Sequence, residues 1–283
     1  MGPTSRISFK YRSGRAALRG LSEGTAYFAS PSELNDSLEA KFDLATTSDF
    51  VVATSKGLNE LAARRGQPGN YSFNKAALQE FDTVHAAENQ CFYEASQRVG
   101  IFSTASRPDN QPMWAYYCEN SNGVCFELEW SDEVLTQYQL WPSSVQYSTE
   151  SRIHNRAEDL CQAILSLGEQ YPDWTIQQVL DFSLTDDFRS EWGIRSIARA
   201  VSVKHVDWQH EAELRVLSQR FGPVPIMQDI LKRVFFVRTD FQEWGSLMML
   251  LRKLYPKVEL AQISFDHKEP FVKVNPLHFK LVP

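Results

Sequence analysis

The stretch Trp208–Leu217 contains two glutamates, Glu211 and Glu213, followed at the same spacing by Arg215. Apolar residues fill the alternate positions between them, and strict alternation is typical of a half-buried β-strand. We therefore predict a strand on which both carboxylates and the guanidinium share one face. Such a face is either ordinary solvated surface or the wall of a site. In a site, paired carboxylates can stabilise a developing positive charge and accept a proton.

Two further groups of chemically active side chains lie at predicted strand ends. Alternation over residues 7–12 predicts a first strand that ends at Arg12, and residues 15–22 predict a short helix stopped by Gly24. A short apolar run over residues 99–104 predicts a strand that ends in Ser103 and Thr104. The polar, turn-rich segment that contains Asn35 follows another predicted strand, at residues 25–29.

The remaining pattern predicts the framework. It indicates a helix over residues 112–118, a strand over 123–130, helices within about 150–200, and a β-α-β unit formed by 231–238, 241–254 and 258–265. No repeat or low-complexity linker divides the chain. We predict one composite α+β domain over residues 1–283, with a mixed or antiparallel sheet core, flanking helices and a helical insertion at about 150–200.

Composition narrows the class of protein. The 283 residues are 43% hydrophobic with a formal net charge of −6, so a globular core is expected and bulk attraction to polyanions is not. The four cysteines lack zinc-ligand spacing, and we expect no bound metal. No run reaches ~18 apolar residues and no secretory leader is visible, so we predict a cytoplasmic protein without a membrane partner.

Several segments resemble the bacterial domain of unknown function 2971 family. They are Gly24–Pro31, Leu34–Asp36 with Glu39, Phe102–Thr104, Met113–Tyr117, Gly123–Leu128, and the residues Lys204, Trp208, Glu211, Glu213, Arg215 and Leu217. These segments follow the order of the family across most of the chain. The resemblance implies membership of a family whose name carries no activity, so function must be argued from chemistry.

A smaller set of residues resembles the Arg / Ser-Thr-Ser / Glu-x-Glu pattern of arginine-type ADP-ribosyltransferases. Arg12, the pair Ser103-Thr104 and the pair Glu211/Glu213 follow that order, whereas Ala105 stands where the third serine is expected. The resemblance implies an ADP-ribosyltransferase-like fold, NAD as the substrate, and ADP-ribosyl transfer or NAD hydrolysis as the reaction. It leaves open whether the acceptor is water, protein, nucleic acid or a small molecule. By analogy alone, such an enzyme is expected to act as a bacterial toxin or defence effector.

The resemblance also implies roles for individual residues. Glu213 would stabilise the ribosyl cation, and Glu211 would orient and deprotonate the nucleophile, since two close carboxylates are expected to raise one pKa. Arg12 would hold the pyrophosphate as a bidentate donor, and Ser103 would position Glu213. The other predicted NAD-binding residues are Thr104, Tyr27 and Trp114 (the two rings as stacking partners of nicotinamide) and Asn35, which would shape the site.

Two other functions remain open at this stage. In a non-catalytic module, the acidic strand face and the Asn35-Asp36 loop would bind a small molecule or protein. In a metal-dependent nuclease, Asp207, Glu211 and Glu213 would hold Mg²⁺. The acidic net charge and the lack of a lysine two residues beyond a carboxylate on this strand disfavour the nuclease.

Overall fold

The computed structural model describes residues 6–36, 42–43, 46–72, 89–149, 154–265 and 273–276, and Glu39 lies outside them. The strands in chain order are β1 (Arg6–Ser13), β2 (Ala26–Phe28), β3 (Phe42–Asp43), β4 (Gly100–Ala105), β5 (Gly123–Trp130), β6 (Leu140–Ser144), β7 (Gln146–Ser148), β8 (His154–Asn155), β9 (Val203–His205), β10 (Glu213–Ser218), β11 (Gly222–Val224), β12 (Leu231–Phe236), β13 (Glu259–Ser264) and β14 (Lys273–Pro276). The α-helices are α1 (Gly14–Glu23), α2 (Thr47–Arg64), α3 (Gln111–Tyr117), α4 (Asp132–Gln137), α5 (Arg156–Gln170), α6 (Ile176–Ser183), α7 (Asp186–Ala200), α8 (Met227–Ile230) and α9 (Trp244–Leu254), and residues 89–98 are also helical.

The chain divides into two compact units. The first comprises residues 1–33, 99–147 and 204–283, and the second comprises residues 34–98 and 148–203. The predicted α+β fold class is confirmed, because strands and helices are both abundant and the sheet is mixed. The single-domain organisation with an insertion stays a prediction.

The main sheet lies in the first unit. Within the described residues it has eight strands in the order β14-β13-β12-β5-β1-β4-β10-β6. Every neighbouring pair is antiparallel except β12 and β13, which are parallel. The exception follows from the connection through α9, since parallel neighbours need a crossover. The β-α-β unit predicted from the sequence is therefore confirmed.

Side chains cover both faces of the central strands. Alternation along β5 sends Val124 and Phe126 into a large core that also contains side chains from α1 and α9, including Leu21 and Leu247. The opposite face of the sheet carries a smaller core that includes Cys125. Because strands alternate with period two, polar side chains on these strands are buried where a helix covers them.

Helix α1 begins and ends at the predicted signals. The Ser13 side chain caps its first turn by accepting from the Ala16 N–H, and Gly24 ends it in the left-handed region at φ 67°. Glycine occupies that conformation without the steric cost that a Cβ brings. The helix covers one face of β1 and leads directly into β2.

The predicted strand over residues 208–217 is wrong in its first half. Residues Val206–Glu211 form a 3₁₀ helix, Ala212 adopts a left-handed conformation at φ 47°, and extended pairing with β4 begins at Glu213. Local hydrogen bonds hold the turn, since the Ala212 N–H donates to the Gln209 carbonyl. Alternation of residue types therefore did not imply an extended backbone here.

The second unit is mainly helical. Helix α2 packs against α5, and both contact α6 around buried apolar side chains such as Leu58 and Ile164. Helices α5, α6 and α7 confirm the helices expected between about 150 and 200. Among the described residues, no helix is both long enough and apolar enough to cross a membrane.

Candidate functional site

A buried cluster of four charged side chains lies at the start of β10, in the first unit. The side chains of Lys204, Glu211 and Glu213 are each 4% exposed, and that of Arg215 is 1% exposed. Lys204 Nζ lies 2.6 Å from Glu211 Oε2 and 3.1 Å from Glu213 Oε2. Arg215 donates from Nε and Nη2 to the two oxygens of Glu213, at 2.8 Å and 3.0 Å. Two cations thus balance two carboxylates, as buried charges require.

The backbone around Ala212 brings the two glutamates onto one lysine. Glu213 and Arg215 share a face of β10 because they are two residues apart on a strand. Glu211 ends the preceding 3₁₀ helix instead, and the left-handed Ala212 joins the two elements. Lys204, at the centre of β9, donates hydrogen bonds to both carboxylates. The ring of Trp208 lies below the ammonium, 4.9 Å from Lys204 Nζ.

Three hydroxyl groups complete the hydrogen bonding of the glutamates. The Tyr117 hydroxyl donates to Glu211 Oε1 at 2.6 Å, and the Tyr147 hydroxyl accepts from the backbone N–H of Glu213 at 2.8 Å. The Ser103 side chain, on the neighbouring strand β4, hydrogen-bonds the Glu213 carboxylate. These contacts hold each carboxylate in one orientation.

The charges around Glu213 keep its carboxyl group ionised. Burial alone would raise its pKa, but the charge and hydrogen bonds of Arg215, the charge of Lys204 and the hydrogen bond from Ser103 lower the pKa to about 2. The raised pKa that was expected for one of the two carboxyl groups does not occur at Glu213. The reason is that Arg215 pairs with Glu213, and Lys204, which contacts both glutamates, adds a second positive charge.

A cleft of about 380 Å³ opens on the face of the sheet opposite to the buried cluster. Its lining includes Lys10, Arg12 and Tyr27. Lys10 and Arg12 are neighbours on one face of β1. Burial lowers the pKa of each group, and the charge of Arg12 lowers that of Lys10 further. Lys10 Nζ donates to the Ser103 carbonyl and lies 4.9 Å from the Phe102 ring.

Lys10 is the link between the cleft and the buried cluster. Its ammonium is attracted by the charges of Glu213 and Glu211 and repelled by those of Arg12 and Arg215. Its hydrogen-bond acceptor, the Ser103 carbonyl, belongs to the residue whose side chain contacts Glu213. The cleft and the carboxylates are therefore within electrostatic reach of each other.

The structure brings together some of the residues predicted from sequence. Glu211, Glu213 and Ser103 meet in the cluster, and Arg12 lines the cleft. Tyr27 also lines the cleft with 45% of its surface exposed, and its hydroxyl donates to Glu33 at 2.8 Å. These predicted residues therefore lie in two places within the first unit, the buried cluster and the cleft.

Three other predicted residues lie elsewhere. Trp114 is 1% exposed, its ring packs edge-on against Tyr11, and its indole N–H donates to the Pro108 carbonyl, so it is a core residue and offers no open ring for stacking. The hydroxyl of Thr104 donates to the Leu214 carbonyl on β10. Asn35 is exposed and belongs to the second unit.

The three carboxylates of the predicted magnesium site are not gathered. The side chain of Asp207 is 79% exposed and lies 2.8 Å from His205 Nδ1, whereas Glu211 and Glu213 are buried on Lys204. Throughout the part of the chain that the structure describes, no group of three or more His, Cys, Asp or Glu side chains is arranged to hold a metal ion.

The residues that the sequence argument missed are Lys204, Tyr117, Tyr147 and Lys10. Lys204 and Tyr117 stand within the segments that resemble the family, but nothing in their spacing connects them with a carboxylate. Lys10 carried a usable signal, since it precedes Arg12 by two residues on an alternating strand. Tyr147 is distant from Glu213 along the chain and had no such signal.

Comparison with known proteins gives one match. The model of a family described as "Protein of unknown function (DUF2971)" matches residues 113–216, a range that contains most of α3, all of β5 and all four charged residues of the buried cluster. No curated protein matches the chain, and neither does any solved structure. The earlier segments of the resemblance, such as Gly24–Pro31, lie outside the matched range and stay predictions. Over residues 113–216 the chain is similar to the DUF2971 family of proteins of unknown function.

Proposed function

We propose that the protein cleaves the bond between nicotinamide and ribose in NAD and passes ADP-ribose to water or to another acceptor. The observation that carries the proposal is the ionised Glu213, hydrogen-bonded by Ser103, in the same unit as a cleft that is lined by Arg12. Breaking this glycosidic bond develops positive charge on the ribose, and a fixed carboxylate stabilises such a charge. The leaving nicotinamide takes the electron pair of the broken bond and departs as a neutral molecule.

Glu213 is suited to be the electrostatic partner of the ribosyl cation. With a pKa of about 2 it stays negative at every physiological pH. The two hydrogen bonds from Arg215 fix the carboxylate before any substrate arrives. A charge already in place needs no reorganisation during the reaction, which is the main source of this kind of catalysis.

Glu211 is the proposed partner of the acceptor. Its carboxylate is ordered by Tyr117 and Lys204, at 2.6 Å each. When the nucleophile bonds to the ribose carbon, Glu211 takes its proton. This role rests on the proximity of Glu211 to Glu213, which both contact Lys204.

Arg12 and Tyr27 are the proposed NAD-binding residues of the cleft. Within the described residues the Arg12 guanidinium has no carboxylate partner. It is therefore available to donate two hydrogen bonds to a pyrophosphate. The exposed ring of Tyr27, fixed by its bond to Glu33, is the proposed stacking surface in place of the buried Trp114.

The test is release of nicotinamide from NAD by the purified full chain. We expect Glu213→Gln to lower kcat at least 100-fold and Arg12→Ala to raise KM at least 10-fold. Glu259→Gln is the matched control, because that carboxylate is exposed on β13 and should leave the rate unchanged. Circular dichroism checks the fold of each variant. No release by the wild-type protein, together with no NAD binding by calorimetry, would refute the proposal.

A binding module without turnover is the second candidate. The observation that favours it is the burial of both carboxylates at 4% exposure, each paired with a cation as in a structural ion cluster. NAD binding without nicotinamide release would identify this function. The proposed role as a toxin or defence effector has its own test, since expression in a bacterial host should deplete cellular NAD and stop growth, and Glu213→Gln should do neither.

A further inference from the structure

The side chain of Lys10 has no acidic partner among the described residues. Its ammonium donates to the backbone carbonyl of Ser103, and neither it nor Arg12 forms an ion pair in the part of the chain that the structure describes. Both side chains line the same cleft. Burying a cation without a counter-charge is costly, so two adjacent cations in one cleft indicate a site built for an anion.

The charges that face Lys10 from the surrounding elements cancel among themselves. From β10 and the preceding 3₁₀ helix, Glu213 and Glu211 are matched by Arg215 and Lys204.

At the mouth of the cleft, Arg19 and Glu23 of α1 form their own ion pair at 3.1 Å. What remains is the charge of Arg12 and, when it is protonated, that of Lys10. A diphosphate diester carries two negative charges and would neutralise both.

We infer that Lys10 and Arg12 together bind the diphosphate of a nucleotide. The inference rests on the proposed function for the choice of an ADP-ribose-type ligand, but it requires binding only and no turnover. The volume of about 380 Å³ lies within the range of small-molecule sites, roughly 300–1,000 Å³. Lys10 is a ligand-binding residue that the sequence argument did not include.

Proton uptake follows from the surroundings of Lys10. Burial and the neighbouring charge of Arg12 hold the pKa of Lys10 well below its ordinary value. A bound diphosphate adds a strong attraction to the ammonium form and raises that pKa again. At a pH between the two values the protein gains a proton on binding, and affinity falls as the pH rises through this interval.

Calorimetry with ADP-ribose tests the site directly. The titration is run at several pH values between about 7 and 10, each in two buffers of different ionisation enthalpy, so that the difference in heat measures proton uptake. For the wild-type protein we expect measurable proton uptake within this range. Lys10→Met should bind at least 10-fold more weakly without uptake, whereas Lys10→Arg should keep most of the affinity and also lose the uptake, because arginine is always charged.

Three comparisons complete the design. Inorganic pyrophosphate should compete with ADP-ribose, and adenosine should not, which separates the diphosphate from the nucleoside as the recognised group. Lys232→Met is the matched control, since that lysine is half-exposed on β12 and pairs with Glu129. It should leave both affinity and proton uptake unchanged.

The outcomes separate this inference from the proposed function. ADP-ribose binding with proton uptake but without nicotinamide release would support the site and refute the NAD-cleaving activity. Nicotinamide release by the wild-type protein, combined with unchanged affinity and proton uptake in Lys10→Met, would support the NAD-cleaving activity and refute the binding role of Lys10. Binding of adenosine as tight as that of ADP-ribose, or no binding of either phosphate compound, would overturn the inference.

Discussion

At the scale of single residues, Lys204 is the positive charge that the two glutamates of the Glu-x-Glu pair share. Without it, two carboxylates buried near each other would repel, and one would be expected to hold a proton. With Arg215 and Lys204 both in contact with it, Glu213 stays ionised with a pKa of about 2. Glu213 is therefore a fixed negative charge in a low-dielectric setting, which suits stabilisation of a cation better than proton transfer.

Replacing Lys204 by methionine should destabilise the fold. The substitution keeps the length of the side chain but leaves the two glutamates without their shared cation, and breaking a buried ion pair costs ~3–5 kcal/mol. Urea unfolding followed by circular dichroism measures the free energy of unfolding. Lys232→Met, at a half-exposed pair, should cost less than ~1 kcal/mol. Equal losses in the two variants would contradict the buried arrangement.

The acid limb of stability should contain a contribution from Glu213. Its folded pKa of about 2 lies below the ordinary value of 4.5, so its stabilisation is complete above the unfolded pKa and disappears as the pH falls towards 2. Between pH 6 and pH 3 the loss from this one group should be ~2 kcal/mol. The measurement is the free energy of unfolding of wild type and Glu213→Gln at each pH. The difference between them should shrink by that amount, and a constant difference would show that Glu213 has an ordinary pKa.

At the scale of elements, the turn at Ala212 is the joint that assembles the cluster. It converts a 3₁₀ helix into β10 and so places Glu211 and Glu213 against one lysine, although they are not on the same strand. A non-glycine residue in the left-handed region costs roughly 1–2 kcal/mol, and the surrounding contacts must supply it. Such strained positions commonly occur next to functional sites.

Substitutions at Ala212 test this joint. Ala212→Val should lower the free energy of unfolding by more than ~1 kcal/mol and impair nicotinamide release, since a β-branched residue tolerates a positive φ poorly. The matched variant is Ala212→Gly, which adopts φ 47° freely and should retain both stability and release. Equal stability and equal nicotinamide release in the valine and glycine variants would contradict the left-handed conformation of residue 212.

At the scale of the whole molecule, overall charge and local charge have opposite signs. The chain has a formal net charge of −6, yet the cleft holds Lys10 and Arg12 without described acidic partners. A small anion can enter a local positive site, whereas a long polyanion also meets the negative charge of the rest of the protein. This difference in sign is consistent with the proposal of a nucleotide, rather than a nucleic acid, as the ligand of this cleft.

Chromatography on heparin tests the prediction about bulk charge. At neutral pH and ~150 mM salt the full chain should pass through unretained, because binding to a polyanion depends on many cationic contacts. Lys10→Met should behave in the same way as the wild type. Retention of the wild-type protein that salt reverses would reveal a basic surface and would make nucleic acid the leading acceptor.

The sequence by itself determined the elements whose signals are local. Period-two alternation identified β1 and β5, Gly24 marked the end of α1, and the strand-helix-strand pattern near the C-terminus identified the parallel pair. The α+β class and the likeness to the family followed from these same segments. Each signal lies within a few residues of the structure it specifies, and this is why it could be interpreted without the fold.

Only the tertiary structure decided which polar residues meet. The contact of Lys204 with both glutamates and the hydroxyls of Tyr117 and Tyr147 depend on packing between separate elements. The burial of Trp114 depends on the packing of its helix, α3, against the sheet, where its ring contacts Tyr11 of β1. Alternation over residues 208–217 predicted a shared strand face, but a left-handed turn produced the meeting of the carboxylates instead. Residue type determines local preference, whereas a site depends on distances between segments far apart in the chain.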